Sequence, residues 1–388
     1  MKRQVNIGLF NESFPPVMDG VAVCVQNYAY WLQKNVGKVS VITPMNYGHK
    51  YHEDYEVLEY MSIPVPFRPP YMTGIAEIDP VFMSKLLKRR FKIVHAHSPF
   101  TSGMAAQQVA RSQNVPLVAT FHSKFRDDFE RVIPSKFAVD AIIKRIVAFY
   151  ESADEVWVPQ PSVREVLREY GFKGHAEVVQ NGSDLCADYT DSYFEEARRS
   201  LGIAPGQFAL LFVGQHIWEK NTKLIIEALS RISDLDFRMF FIGTGYAAEE
   251  MKDMVSKAGL DSKVTFVGVL TDREKLKSYY AAADLFLFPS LYDTDGLVVH
   301  EAAALHTPSV MADNASASGM ITDGDNGFLT PDNPDSFADL LRKLAASRSD
   351  LKKTAGLSAS RTLVRSWEDI AAEVLDRYNS LIVRKKMI

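Results

Sequence analysis

The sequence has few cysteines and no long hydrophobic run. Its 388 residues include two cysteines, Cys24 and Cys186, with no CxxC spacing. This fits a protein of the reducing cytoplasm and gives no zinc or redox signal. No apolar run reaches the ~18 residues that a membrane-spanning helix needs. The N-terminal MKRQVNIGLF continues directly into a strand-like run, so no signal peptide is expected.

The chain also has little net charge, −4, which argues against bulk nucleic-acid binding. The charge is unevenly spread: residues 1–150 hold 18 Lys and Arg against 12 Asp and Glu, and the remainder holds 26 against 36. The basic run Lys85–Lys92 and the apolar, basic helix pattern Phe137–Tyr150 are compatible with peripheral contact to an anionic membrane. The alternative for the basic run is a solvated helix end.

Short apolar runs alternate with helical patterns along the chain, which predicts parallel sheets covered on both faces. The pattern restarts near Ala209, after the turn-rich segment GIAPGQ. We therefore expect one domain at 1–185, a second at 186–362, and an amphipathic helix at 363–388 that returns to the first domain. The predicted strands are Val5–Phe10, Val39–Thr43, Ile93–His97, Leu117–Phe121, Glu155–Val158, Ala176–Val179, Ala209–Val213, Arg238–Ile242, Val264–Val267, Leu285–Phe288, Ser309–Met311 and Phe328–Thr330.

Four segments combine a strand or turn with a following helix. They are PPVMDGVAV around Gly20, FVGQHIWEKN with Gln215 and Lys220, FFIGTGYAAEE with Gly245, and the stretch from Ala283 to Thr307. Such junctions offer free backbone N–H groups to an anion, and glycine lets the backbone approach a phosphate closely. Each signal is weak alone. Together they predict a nucleotide-sugar site, and the alternative is a set of ordinary βα units with solvated acids.

Taken in order, these segments resemble retaining glycosyltransferases of family GT4, which have the GT-B fold. The segments IVHAHSPF, ATFHSKF and VVQNGSDL extend the resemblance over nearly the full chain. It implies an α/β protein of two Rossmann-like, doubly wound parallel-sheet domains with a cleft between them. The second domain would bind the nucleotide and the first the acceptor. Similarity to bacterial diacylglycerol glucosyltransferases implies a lipid acceptor, with a soluble sugar or a polysaccharide precursor as the alternative.

The family's E-x7-E element matches Asp293 to Glu301 in this chain. The spacing and Gly296 are kept, but the first acid is Asp, and Asp295 stands where an aromatic residue is usual. The resemblance implies that Glu301 accepts from the ribose hydroxyls and that Asp293 lies near the donor sugar. The backbone amides expected at the phosphates or sugar hydroxyls are those of Thr294, Asp295, Gly296 and Leu297.

The family usually grips the diphosphate with an Arg and a Lys, and only the Lys is present here. Lys220 would neutralise charge on the leaving diphosphate, whereas Gln215 replaces the Arg. Losing that charge-assisted hydrogen bond could cost about 1.5–3 kcal/mol, which leaves the donor's identity open. His122 matches a family histidine that faces the donor sugar. The expected catalytic residues are therefore His122, Lys220 and Asp293, and Gly20, Gln215 and Gly245 join the donor-binding set.

Two patterns look like metal sites. His95 and His97 form an HxH pair that stands alone, and we interpret His97 as lining the cleft. Asp293 and Asp295 match the DxD that holds Mg²⁺ or Mn²⁺ in the other large glycosyltransferase fold. Because GT-B enzymes generally do without that metal, we expect neither a metal nor a cofactor.

The resemblance implies a hexosyltransferase that moves a hexose, with UDP-glucose as the first candidate donor, to a lipid or saccharide acceptor with retention of configuration. In this family retention is thought to use front-face attack. One alternative is a catalytically silent nucleotide-sugar-binding subunit, motivated by Gln215 and Asp293. Another is a phosphorylase or epimerase of the same fold, for which no cofactor-lysine motif is visible.

Overall fold

The computed structural model describes residues 5–17, 19–65 and 71–387, and it divides the chain into two units. Unit 1 comprises Met1–Asn181 and Trp367–Ile388, and unit 2 comprises Gly182–Ser366. The first boundary lies after Asn181, four residues before the position 185 expected from the sequence. The second lies after Ser366, four residues beyond the expected position 362. Within the described ranges, no helix combines the length and the apolar character needed to cross a bilayer.

Unit 1 is built on a seven-stranded parallel sheet with the order β3-β2-β1-β6-β7-β8-β9. Its strands, including the separate antiparallel pair β4-β5, are β1 (Ile7–Phe10), β2 (Val39–Pro44), β3 (Glu56–Tyr60), β4 (Ser62–Pro64), β5 (Met72–Gly74), β6 (Ile93–Ala96), β7 (Leu117–Thr120), β8 (Glu155–Val158) and β9 (Ala176–Val178). The first six helices are α1 (Gly20–Val36), α2 (Pro80–Leu87), α3 (Thr101–Gln113), α4 (Phe125–Val132), α5 (Lys136–Glu151) and α6 (Pro161–Glu169).

Unit 2 is built on a six-stranded parallel sheet with the order β12-β11-β10-β13-β14-β15. Its strands are β10 (Phe208–Val213), β11 (Phe237–Ile242), β12 (Val264–Gly268), β13 (Leu285–Leu287), β14 (Ser309–Ala312) and β15 (Gly327–Thr330). Its helices are α7 (Asp191–Ser200), α8 (Thr222–Arg231), α9 (Ala248–Lys257), α10 (Arg273–Ala282), α11 (Leu297–Ala304), α12 (Pro334–Ala346), α13 (Arg348–Leu351) and α14 (Leu357–Leu363), with a π-helical turn between the last two.

Strand β10 shows why the sheet of unit 2 is covered on both faces. Its sequence, FALLFV, is apolar throughout, and all six residues are buried. Successive side chains of a strand point to opposite faces. Accordingly Ala209 and Leu211 belong to one hydrophobic cluster, and Leu210 and Phe212 belong to another. A near-continuous apolar run is typical of a central strand in a parallel sheet.

The strand order of unit 2 changes direction at β10, whose neighbours are β11 on one side and β13 on the other. Open α/β sheets bind ligands outside the carboxyl ends of their strands at such a switch point. The loops that leave β10, β11 and β13 carry the segments singled out in the sequence. The fold therefore brings three separated sequence segments to one edge of one sheet.

The last helix, α15 (Trp367–Met387), belongs to unit 1. The Tyr378 ring stacks on Trp157 with centroids 5.7 Å apart, and its hydroxyl lies 2.6 Å from Nδ1 of His95. At the start of the helix, Trp367 packs edge-on against Tyr28 of α1 at 5.8 Å. The chain thus ends within the unit in which it begins.

All twelve strands predicted from the sequence are present, with ends within two residues of those expected. The strands β3, β4 and β5 were not predicted. In β3, four of the five residues are half-buried and two are glutamates. An edge strand of this composition lacks the apolar run by which the other strands were recognised.

Candidate functional site

The loop after β13 leads directly into α11 through Gly296. This residue has φ +81°, a conformation that favours glycine, and a Cβ at this position would lie 2.9 Å from the Phe288 ring. Thr294 and Asp295 are buried in the loop, and Leu297 begins the helix. The backbone amides of residues 294–297 therefore lie at or just before the N-terminus of α11, and their role toward a phosphate or a sugar hydroxyl stays a prediction.

Two of the predicted catalytic residues form an ion pair. Lys220 ends a short 3₁₀ turn after β10, and its Nζ lies 2.5 and 2.7 Å from the two carboxylate oxygens of Asp293. Both side chains are largely shielded, with exposed fractions of 15% and 18%. The cation expected to meet a diphosphate is therefore already balanced by the acid expected to meet the sugar.

Glu301 lies on α11 and is held by two side chains of α10. Arg273 Nη2 donates to Oε1 at 2.9 Å, and the Tyr280 hydroxyl donates to Oε2 at 2.8 Å. Arg273 also binds the Asp184 carboxylate through Nη2 at 2.5 Å. Burial raises the pKa of Glu301, although Arg273 and Tyr280 oppose the shift. Each carboxylate oxygen can still accept from a further donor, such as a sugar hydroxyl.

Sequence reasoning missed Arg273, Tyr280 and Asp184. The spacing of seven between Arg273 and Tyr280 places both on one face of a helix, two turns apart. That spacing was a usable signal, but it does not say which acid the face meets. Only the packing of α10 beside α11 brings the two donors to Glu301.

Asp295 has a buried partner that the sequence did not reveal. His300 Nε2 lies 3.2 Å from both Asp295 carboxylate oxygens, and His300 Nδ1 lies 2.8 Å from the Leu363 carbonyl oxygen. When the ring is protonated, both of its nitrogens donate, one to the Asp295 carboxylate and the other to the Leu363 carbonyl. Burial alone would lower the pKa of His300, but the Asp295 carboxylate outweighs it and the pKa is raised.

These pairings also bear on the DxD pattern. The Asp293 carboxylate binds Lys220, and the Asp295 carboxylate binds His300. The two acids thus face two different cationic partners rather than a shared position. Asp295 lies in the loop before α11, and its histidine partner follows five residues later within that helix.

The loop after β10 is locked to the loop after β11. His216 N donates to the Thr244 carbonyl at 2.9 Å, and Ala247 N donates to the His216 carbonyl at 3.0 Å. A Cβ on Gly245 would overlap that His216 carbonyl, so the close approach requires glycine here. Burial lowers the pKa of His216 to about 4. Gln215, by contrast, is exposed; the donor-binding roles of Gln215 and Gly245 stay predictions.

The two remaining predicted residues, Gly20 and His122, belong to unit 1. Gly20 is the first residue of α1 rather than part of a preceding turn, and the Asp19 side chain caps the helix by accepting from Ala22 N at 2.8 Å. His122 follows β7, and its Nε2 lies 3.0 Å from Nδ1 of His97. Their roles toward a donor also stay predictions.

Two family profiles match the chain. The profile "Glycosyltransferase Family 4" matches residues 18–186, and "Glycosyl transferases group 1" matches residues 193–357. The two matches cover most of unit 1 and most of unit 2, respectively.

The chain is similar to named relatives and to solved structures. It is 24% identical to an alpha-monoglucosyldiacylglycerol synthase of Streptococcus pneumoniae, over 88% of this chain and 79% of the relative. It is also 24% identical to the Acholeplasma laidlawii protein of that name, over 98% and 100%. Sucrose-phosphate synthase of Thermosynechococcus elongatus superposes with a TM-score of 0.83 at 22% identity, covering 98% and 100%. Anabaena HepE in complex with UDP-glucose gives 0.76 at 18% identity, covering 97% and 99%.

Proposed function

The chain is a family 4 glycosyltransferase with the GT-B fold, and from this premise we propose that it moves a hexose from a UDP-sugar to a lipid or saccharide acceptor with retention of configuration. One observation carries the proposal. The segment 293–301 holds Asp293 against Lys220 at its start and Glu301 against Arg273 and Tyr280 at its end. A diphosphate needs the cation, and a ribose needs the acid.

We propose glucose as the sugar and uridine as the nucleoside of the donor. The support is indirect: the similar Anabaena structure contains UDP-glucose, and the two relatives are named as glucosyl lipid synthases. These names also favour a diacylglycerol-type acceptor over a soluble sugar.

In the proposed reaction, Lys220 moves from Asp293 to the diphosphate. The bond between the sugar C1 and the diphosphate oxygen breaks, and the acceptor oxygen bonds to C1 on the same face. The acceptor proton passes to the departing phosphate. Lys220 and the amides before α11 stabilise the charge that develops on the leaving group, while the Asp293 carboxylate becomes available to a sugar hydroxyl. His122 keeps the role near the donor sugar that the family resemblance gives it.

A lipid acceptor requires access to a membrane surface, and we place that contact at the corner between α4 and α5 in unit 1. Val132 and Phe137 are 62% and 85% exposed there, beside the exposed cations Arg131 and Lys136. Apolar side chains next to cations suit an anionic bilayer surface, here the cytoplasmic face. Arg89 of the basic run at residues 85–92 is less suitable, because Glu56 binds it in a bidentate pair.

The membrane contact can be tested with vesicles. We expect Val132→Ser combined with Phe137→Ser to reduce co-sedimentation with anionic vesicles several-fold, while Lys88→Gln combined with Arg90→Gln has a smaller effect. Equal sedimentation of the wild type and the Val132/Phe137 variant would refute this site of contact.

The activity is tested with purified protein and a matrix of donors and acceptors. The donors are UDP-, GDP- and ADP-sugars, and the acceptors are diacylglycerol in mixed micelles, a monoglucosyl lipid and soluble sugars. We expect release of UDP together with a lipid product whose anomeric proton reports the α configuration by NMR. Release of sugar phosphate instead would identify a phosphorylase.

A second candidate is a catalytically silent nucleotide-sugar-binding subunit. Gln215 in place of an Arg and the occupation of Lys220 by Asp293 favour it, because both weaken the positive charge offered to a diphosphate. Calorimetric binding of UDP without turnover across the whole matrix would support this candidate over the transferase.

A further inference from the structure

A cysteine and two histidines lie together in unit 1, and one of the histidines, His122, is also the residue that the family resemblance places near the donor sugar. Cys24 lies on α1, His97 follows β6, and His122 follows β7. The Cys24 Sγ and one ring nitrogen of each histidine all lie within 4.8 Å of one another. Across residues 5–17, 19–65 and 71–387, this is the group of His, Cys, Asp and Glu side chains that meets the spacing of a metal site.

The ring of His97 supplies the second observation. It is 2% exposed, and its Nδ1 lies 3.0 Å from His122 Nε2. Its other nitrogen, Nε2, is buried without a hydrogen-bond partner in the described part of the chain. Buried polar atoms are nearly always paired, so an unpartnered ring nitrogen requires an explanation.

The neighbouring His95 does not share this feature. Its Nδ1 lies 2.6 Å from the Tyr378 hydroxyl, and its Nε2 lies 2.7 Å from Thr120 Oγ1. Both of its nitrogens are therefore engaged. The HxH pair noted in the sequence is not itself the metal site; one member is structural, and the other faces Cys24 and His122.

We propose that Cys24, His97 and His122 bind one Zn²⁺ ion, with water as the fourth ligand. One thiolate and two imidazoles form a donor set that suits zinc, and three protein ligands with a water in the fourth position are the arrangement found in catalytic zinc sites. Zn–N and Zn–S bonds of about 2.0–2.3 Å place tetrahedral ligand atoms roughly 3.3–3.7 Å apart. The ligand atoms lie within 4.8 Å of one another, so they need to draw together by at most about 1.1–1.5 Å to reach this spacing.

Binding requires loss of one proton. The Cys24 thiol lies 3.2 Å from Asn181 Oδ1, which can accept its hydrogen. On binding, that proton leaves to solvent and a Zn–S bond forms, with no change in oxidation state. The site therefore needs no reductant or oxidant.

Zinc at this site inhibits sugar transfer, and this part of the inference rests on the proposed function. His122 is the residue that the family resemblance places near the donor sugar. Its ring cannot both ligate the metal and face the sugar through the same nitrogen. The site thus makes transfer sensitive to free zinc.

The metal site is tested by titrating untagged, metal-free protein with Co²⁺, which reports tetrahedral thiolate ligation by visible absorption and a near-ultraviolet charge-transfer band. We expect one equivalent to bind, Zn²⁺ to displace it, and Cys24→Ala to remove the charge-transfer band and weaken binding at least 100-fold. Cys186→Ala, which removes the exposed cysteine of unit 2, is the matched control and should keep the charge-transfer band and the Co²⁺ affinity of the wild type. An unchanged band in Cys24→Ala, or no binding to the wild type at micromolar Co²⁺, overturns the proposal.

A second variant separates ligation from folding. His97→Gln, checked for native circular dichroism, should also lose tight binding; retention of wild-type affinity overturns the assignment of His97. Inhibition by Zn²⁺ is then measured for each variant relative to its own metal-free activity. Zinc binding without inhibition refutes the inhibitory role but does not affect the assignment of the metal site. Failure of every transfer assay counts against the proposed function, and the Co²⁺ spectra still decide whether the metal site exists.

Discussion

Lys220 is the single residue on which a diphosphate site depends most. It is the side chain that matches a family cation at this position, because Gln215 replaces the other. We predict that Lys220→Met lowers kcat/KM at least 100-fold, since one lost contact to a developing oxyanion costs about 2.7–4 kcal/mol. Lys223→Met is the control, because that lysine lies three residues away with 63% of its side chain exposed. Equal activity of the two variants would remove Lys220 from the mechanism.

Asp293 competes with the diphosphate for Lys220. Its carboxylate must release Nζ before a phosphate oxygen can take its place. We predict that Asp293→Asn binds UDP more tightly, by up to about tenfold, because a neutral amide holds the ammonium less strongly. The same change should lower kcat, because the sugar hydroxyl then has no carboxylate to bind. Calorimetry with UDP and steady-state kinetics give the two values, and weaker UDP binding would contradict the competition.

Asp295 and His300 form a buried pair that is ionic when the imidazole ring is protonated. We predict that Asp295→Phe alone destabilises the protein by about 3–5 kcal/mol, because it leaves a buried imidazolium without its counter-ion. Adding His300→Leu should recover much of the loss, and the double-mutant cycle should give a coupling of at least 1 kcal/mol. Additive effects of the two changes in denaturant unfolding would show that the pair is not coupled.

The same pair predicts a pH dependence. The pKa of His300 is raised in the folded protein. The pair therefore contributes its full stabilisation of the folded state at a pH below the unfolded-state pKa of about 6.5. That contribution is lost as the pH rises through the raised folded pKa. The difference in unfolding free energy between the wild type and His300→Gln should therefore narrow as the pH rises above about 6.5. A difference in unfolding free energy that widens as the pH rises would contradict this prediction.

At the scale of elements, two of the glycines predicted to bind the donor differ in their surroundings. Gly245 is required where two loops touch, whereas a Cβ on Gly20 would meet nothing within 4 Å. We predict that Gly245→Ala destabilises the protein by about 1–3 kcal/mol through overpacking against His216. Gly20→Ala should leave stability within about 0.5 kcal/mol, and the donor-binding role predicted for Gly20 requires that it weaken UDP binding. Thermal melts with and without UDP distinguish the two effects.

The elements themselves could largely be predicted from the sequence. Runs such as LLFV in β10 are apolar because both faces are covered, and that property can be read locally. The order of the segments that place Lys220 and Glu301 near strand ends could also be predicted from the sequence. The partners of Glu301 could not be predicted, because Arg273 and Tyr280 reach it only through helix packing between distant segments. His300 escaped notice for a related reason: a histidine inside an apolar helix gives no sign of its charge state until its acceptors are known.

At the scale of the whole molecule, the last helix, α15, packs within unit 1 although it follows unit 2 in the chain. Its central contact is Tyr378, fully buried, with its ring stacked on Trp157 and its hydroxyl on His95. If α15 is an integral part of the sheet's covering layer, removing this ring should loosen β6 to β8, which lie more than two hundred residues earlier in the chain.

We predict that Tyr378→Ala destabilises unit 1 by about 3–5 kcal/mol, the cost of truncating a large buried aromatic side chain. Tyr378→Phe should cost less, about 1–3 kcal/mol, because it keeps the ring and leaves only His95 Nδ1 unpaired. Val383→Ala is the control on the same helix, since Val383 is 51% exposed. Hydrogen exchange of the peptides that contain β6, β7 and β8 gives the measurement, because a protein of two units need not unfold in one step. Unchanged protection of those strands in Tyr378→Ala would mean that α15 only covers unit 1 and does not hold it together.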